Sequence, residues 1–122
     1  MTFFDEVAGR LDPDVTFHSP VATYRGRADV AHLLTTIAGL VEDVSPVSEL
    51  RGSGARATFF TARLAGREGD GVLQERFADG DGGDVVELRL MLRPLAALIP
   101  AVKSMGASLE ADPLPSQAGR TE

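Results

Sequence analysis

The sequence predicts an α+β domain, a curved antiparallel sheet wrapped around helices. Three observations predict it. A helix-length stretch from Arg27 to Val44 carries a single apolar stripe. Four strand-like segments then follow in succession, separated by turn residues. The last three run to about ten residues each, long enough for right-handed twist to bend the sheet strongly around a core.

Taken in order, Phe3 to Leu11 reads as a short opening helix, with Thr2 as N-cap and Asp5 and Glu6 in the first turn. Asp12-Pro13-Asp14 stops it. Val15 to Ser19 alternates as a strand with Val15, Phe17 and Ser19 on one face, Pro20 ends it, and Val21 to Gly26 is a loop. In the long helix Val30, Leu33, Leu34, Ile37, Leu40, Val41 and Val44 recur at helical spacing, Asp29 favours the positive end of the dipole, and Ser45-Pro46 stops it. The four strands are Val47 to Arg51, Arg56 to Ala65, Glu68 to Ala78 and Asp84 to Arg93. Gly52-Ser53-Gly54, Ala65-Gly66-Arg67 and Asp79 to Gly83 separate them, and successive hairpins imply antiparallel pairing. Pro94 to Leu109 reads as a closing helix with Leu95, Leu98, Ile99, Val102 and Leu109 inward, and Pro100 is expected to kink or split it. Residues 1–110 thus form one domain, and the Pro-, Ser- and Gly-containing tail 111–122 is expected to be disordered.

Composition narrows the functions. A chain of 122 residues with 43% hydrophobic and 25% charged residues can bury its own core without a staple. Twelve basic against eighteen acidic residues give a net charge of −6, and Lys103 is the sole lysine. Such a field repels polyanions, so nucleic acid and anionic membranes are not expected partners. No cysteine is present, which removes disulfides, thiolate metal sites and cysteine nucleophiles and fits a reducing cytoplasm. No signal peptide or membrane span is visible in the sequence.

Four short motifs appear in order. Residues 11–20 read LDPDVTFHSP, residues 24–27 read YRGR, residues 83–88 read GDVVEL, and Arg93-Pro94-Leu95 leads toward Met105-Gly106. Together they resemble the SnoaL-like branch of the nuclear transport factor 2-like superfamily, over roughly residues 10 to 109. The resemblance implies a cone-shaped α+β fold, an internal pocket and a homodimer formed through the outer sheet face. Members of that family begin with a long helix capping the cone, whereas about ten residues precede the first strand here, so a more open pocket or cover by a partner subunit is expected.

The resemblance also implies acid–base chemistry by a carboxyl group held in a dry cavity. Glu75 is the candidate: by period two it shares a face with Leu73 and Phe77. The reversed register would instead turn Val72, Gln74 and Arg76 inward, a more polar set. Ser19 aligns, through Pro20, with the general-base aspartate of the steroid-isomerase relatives, Leu73 corresponds to their second acid, and their tyrosine belongs to the helix that is short here. These departures argue against ketosteroid isomerisation by the usual route, and no epoxide-hydrolase Arg/Asp pattern is recognisable. Tyr24 lies in a loop bordering the expected cavity and is either a hydrogen-bond donor to a ligand carbonyl or a loop anchor.

His18 has the parity of the outer face, and His32 falls opposite the apolar stripe, where it should be solvated. Neither offers metal-ligand spacing. Arg89 and Arg93 are expected on the outer sheet face with Glu87 and Met91, while Phe59 and Phe60 point to opposite faces. Gly80-Asp81-Gly82-Gly83 lacks a following helix and reads as a turn, not a phosphate loop. The expectation is therefore a small apolar or partly oxygenated ligand held by Phe17, Ser19, Tyr24, Leu73, Phe77 and Leu90. Glu75 would be acid or base if the domain is an enzyme, and no cofactor or metal is expected. The alternative is a non-catalytic ligand-binding or dimerisation module.

Overall fold

The structure is a computed structural model and describes residues 3–78 and 83–117. Its elements are α1 (Phe3–Ala8), β1 (Leu11–His18), β2 (Thr23–Arg25), α2 (Arg27–Leu40), β3 (Val41–Gly52), β4 (Ala55–Leu64), β5 (Arg67–Phe77), β6 (Val85–Arg93) and α3 (Leu95–Ala111). The strands form one six-stranded sheet in the order β2-β1-β6-β5-β4-β3. The meander β3 to β6 is antiparallel throughout, as its turn chemistry requires. At the β4–β5 turn Ala65 and Gly66 both have positive φ, the geometry that matches the twist of the flanking strands.

The sheet curls because β5 carries two glycines where strands approach closely. A Cβ on Gly71 would lie 2.5 Å from the Met91 carbonyl oxygen and 2.9 Å from the Phe60 ring, and one on Gly69 would lie 2.7 Å from the Arg93 carbonyl oxygen. The concave face supplies the core: Phe17 from β1, Phe60 and Leu64 from β4, Leu73 from β5, and Leu88 and Leu90 from β6 are buried. Val30, Leu33, Leu34 and Ile37 of α2 pack onto it, and α1 sets Phe4 edge-on to Phe60. Phe60 is buried while its neighbour Phe59 stays 40% exposed, in keeping with strand alternation.

Several boundaries differ from the sequence reading for identifiable reasons. The helix α2 ends at Leu40, not Val44, because Val41 turns extended and pairs with Leu64. Its valines suit either state, and cross-strand pairing outweighs the helical period. Asp43 takes positive φ at the bulge that follows. The first strand starts at Leu11 and pairs in parallel with β6, passing Asp12-Pro13-Asp14 at an irregularity where a missing ladder N–H is tolerated. Thr23–Arg25, read as loop, forms a short antiparallel partner for β1.

The helix α3 runs unbroken past Pro100, which sits in its second turn. Of its expected inward residues, Leu98 and Val102 are half-buried at a cavity and Leu109 packs against the core. Ala97 and Ala101 are its buried residues, while Leu95 and Ile99 are 67% and 48% exposed. The start of the tail is packed: Leu114 is buried, and Asp29 accepts hydrogen bonds from the Ser116 backbone N–H at 2.9 Å and hydroxyl at 2.6 Å. His32 is consequently only partly solvated, since its Nε2 lies 2.8 Å from the Asp112 carbonyl oxygen and its side chain is 20% exposed. Residues 118–122 of the tail and residues 79–82 of the last expected turn lie outside the described residues. Among the described residues no helix is long and apolar enough to cross a membrane.

Candidate functional site

An apolar cavity opens between α2, α3 and the ends of β1 and β6. Leu33, Ile37 and Leu40 of α2 form one wall, Phe17 and Leu90 the sheet side, and Leu98, Ala101, Val102 and Met105 of α3 the cover. Ser19, Pro20, Val21 and Tyr24 border its mouth. Its volume is about 70 Å3, far below the roughly 300–1,000 Å3 of drug-sized ligand sites. The core is therefore nearly filled while α3 is seated.

The two polar residues at this cavity play different parts. Ser19 is committed to its turn: its hydroxyl donates to the Ala22 carbonyl at 3.0 Å and accepts from the backbone N–H of Val21 and Ala22. That local bonding follows Pro20, which removes the competing ladder N–H. Tyr24 is held by ring contact with Phe17, centroids 6.4 Å apart. Its hydroxyl has no hydrogen-bond partner among the described residues, so it is the one polar group at the cavity open to a new acceptor.

Of the other residues anticipated at a site, Phe17 and Leu90 line this cavity, whereas Leu73, Phe77 and Glu75 do not. Glu75 is fully buried, with Leu73 on its face of β5. Its Oε1 accepts from Arg56 Nε at 3.0 Å and Nη2 at 2.8 Å, and Arg10 Nη2 stands 3.4 Å from Oε2. The Arg56 guanidinium also lies 5.7 Å above the Phe77 ring. Arg10 and Arg56 face an open groove between α1 and β3–β4, away from the apolar cavity. Sequence reasoning missed both arginines; of the α3 cover it turned Leu98 and Val102 inward without placing them at the site. The signal for Arg56 was present, since by period two it shares the inward face of β4 with Thr58, Phe60 and Ala62.

On the outer face, His18 Nε2 lies 3.0 Å from Glu87 Oε2 and its Nδ1 3.2 Å from Thr23 Oγ1. The hydrogen bond from His18 holds the Glu87 carboxyl below its usual range; burial opposes it, and the nearby charges of His18, Arg76 and Arg89 add to the lowering. Among the described residues no three His, Asp or Glu side chains gather as a metal-binding group.

No protein-family model matches this sequence, and no curated protein matches it. Solved structures do. A steroid delta-isomerase from Pseudomonas aeruginosa is 30% identical, with a TM-score of 0.78 over 88% of this chain and 80% of that one. This chain belongs to the nuclear transport factor 2-like superfamily. Two further structures share the nuclear transport factor 2-like fold at lower identity. A conserved bacterial protein with a cystatin-like fold from Silicibacter pomeroyi is 20% identical, with a TM-score of 0.81 over 90% of this chain and 78% of that one. A Catenulispora acidiphila protein with a ketosteroid isomerase-like fold, solved with trimethylamine, is 13% identical, with a TM-score of 0.59 over 83% and 82% of the two chains. The α+β cone expected from the four sequence motifs is thus the fold of this nuclear transport factor 2-like protein.

Proposed function

We propose that the protein binds a small apolar molecule carrying one hydrogen-bond acceptor, such as a cyclic ketone, in the cavity under α3. The observation that carries this reading is a cavity wall that is apolar apart from its mouth, where the Tyr24 hydroxyl has no partner among the described residues. An acceptor placed there would complete a bond that the protein leaves unmade, while the rest of the ligand displaces water from hydrocarbon. A cavity of about 70 Å3 holds only a few heavy atoms, so a larger ligand enters by lifting α3. That helix is suited to the movement, since its buried residues are the alanines Ala97 and Ala101.

Binding without catalysis fits the site better than acid–base turnover. Glu75 lies outside the cavity wall, and its carboxylate is engaged by two guanidinium groups. Taking up a substrate proton there would require breaking a buried ion pair. The steroid delta-isomerase relative favours a second reading, in which a ketosteroid occupies the opened cavity.

A thermal-shift and calorimetric series of cyclohexanone, methylcyclohexane and a 3-ketosteroid tests both. The ketones should bind, Tyr24→Phe should weaken them about tenfold, the equivalent of ~1.4 kcal/mol for a hydrogen bond in an apolar site, and methylcyclohexane should be indifferent to that change. Ala101→Trp should fill the cavity and abolish all binding. The proposal fails if no compound raises the melting temperature, or if Ala101→Trp leaves affinity unchanged.

A further inference from the structure

The open groove between α1 and β3–β4 lies at the other end of β1 from the apolar cavity and has a volume of about 670 Å3. That is the size of a small-molecule site, roughly 300–1,000 Å3. Its walls are of two kinds. Phe3, Val7, Pro46 and Val47 give it an apolar side, and Val47 is 68% exposed. Arg10, Arg56 and Thr58 give it hydrogen-bond donors.

Both arginines are held in place. Glu75 fixes Arg56 through Nε and Nη2. The Arg10 main chain is tied on both sides: its N–H donates to the Val7 carbonyl at 3.0 Å, and its carbonyl accepts from the Val85 N–H at 2.8 Å. Their donors are not used up. Arg56 Nη1 meets Glu49 Oε1 only at 3.5 Å, and Glu49 has a closer partner in Arg51 Nη2 at 3.1 Å. Arg10 reaches Glu75 through Nη2 alone, at 3.4 Å, and 46% of its side chain is exposed. The Thr58 hydroxyl has no hydrogen-bond partner among the described residues. Glu75 is a single buried carboxylate between two guanidinium groups, so one positive charge is left without a buried counter-charge.

We propose that this groove binds a monocarboxylate with an apolar body, such as a medium-chain fatty acid. Its carboxylate takes the unused donors of Arg10, Arg56 Nη1 and the Thr58 hydroxyl. Its chain lies along Phe3, Val7, Pro46 and Val47, where it displaces water from hydrocarbon. Glu49 gives up its longer contact with Arg56 and keeps Arg51. Glu6 on the α1 side and Glu49 on the β3 side limit the negative charge that the groove accepts. A phosphate monoester, with about two negative charges near neutral pH, is repelled by both more strongly than a carboxylate is. The arginines are already ordered by Glu75 and the Arg10 main chain, so little freedom is lost on binding. Entry requires no movement of α3, which separates this site from the cavity beneath that helix.

Calorimetry and NMR titration of the full chain with octanoate test this. Octan-1-ol has the same chain without the charge and should bind about tenfold more weakly, as should octanoate to Arg10→Gln. Val47→Asp puts a negative charge in the groove at an exposed position outside the Glu75 network. It should abolish binding, and it decides the matter if Arg10→Gln does not fold. Glu49→Gln removes the competing carboxylate and should strengthen binding about threefold. Ala101→Trp, which fills the cavity under α3, should leave octanoate affinity within about twofold, since the two sites share no residue. The proposal is overturned if octanoate does not bind, if octan-1-ol binds equally well, or if Arg10→Gln and Val47→Asp leave affinity unchanged. It is also overturned if Glu49→Gln weakens binding, or if Ala101→Trp abolishes it, which would place octanoate under α3 instead.

Discussion

The carboxylate of Glu75 has no exposed surface and two arginines within reach. A buried carboxylate is tolerable only when charge-assisted bonds replace its water, and Arg56 supplies two from one guanidinium. Arg56 in turn keeps 18% of its side chain in solvent, which lowers the cost of ordering the pair. Glu75→Gln should therefore destabilise the fold by about 3 kcal/mol, the low end for breaking a buried pair, because Arg56 can rehydrate. Urea denaturation measures it. An undiminished midpoint would show that the pair contributes nothing to stability and would return Glu75 to the list of available acids. That Glu75 faces inward was legible from its alternation with Leu73. What neutralises it was not, because Arg10 and Arg56 lie 65 and 19 positions away in the chain and no local pattern links them.

Among the elements, β5 shows how a strand is shaped to let a sheet curl. Gly69 and Gly71 leave room for the backbone of β6 and for the side chains of Leu64 and Phe60. Gly71→Ala would push a methyl against the Met91 carbonyl, at a spacing that no flexible side chain can relieve. The expected cost is about 2 kcal/mol, as for overpacked cores, and chemical denaturation of the variant checks it. A neutral result would mean that β5 and β6 can separate without loss of pairing. The helix α3 carries a second element-scale lesson. Its period is plain in the sequence, but its buried residues are the alanines Ala97 and Ala101, flanked by the half-buried Leu98 and Val102. Reading the larger apolar residues as the inward stripe placed Leu98, Val102 and Leu109 correctly and Leu95 and Ile99 wrongly.

At the scale of the molecule, α3 and the residues after it close the fold back onto α2. Leu114 is buried, Ser116 bonds to Asp29, and Asp112 meets His32. Leu114→Ala should cost about 2 kcal/mol, the low end for a buried leucine near a chain end. It should also accelerate hydrogen exchange of α3 amides more than those of β5. Equal protection in both would show that the tail does not hold α3 in place. Net charge, the absence of cysteine, the apolar stripe of α2 and the succession of turn-bounded strands were properties of the sequence alone. The stripe and the turn-bounded strands determined an α+β domain with a meander sheet, since local periodicity and turn chemistry act over a few residues. Tertiary structure alone decided the parallel β1–β6 pairing, the seat of α3, the arginines around Glu75 and the small size of the cavity. Each of these depends on contacts between residues far apart in the chain, whose energies no local pattern encodes.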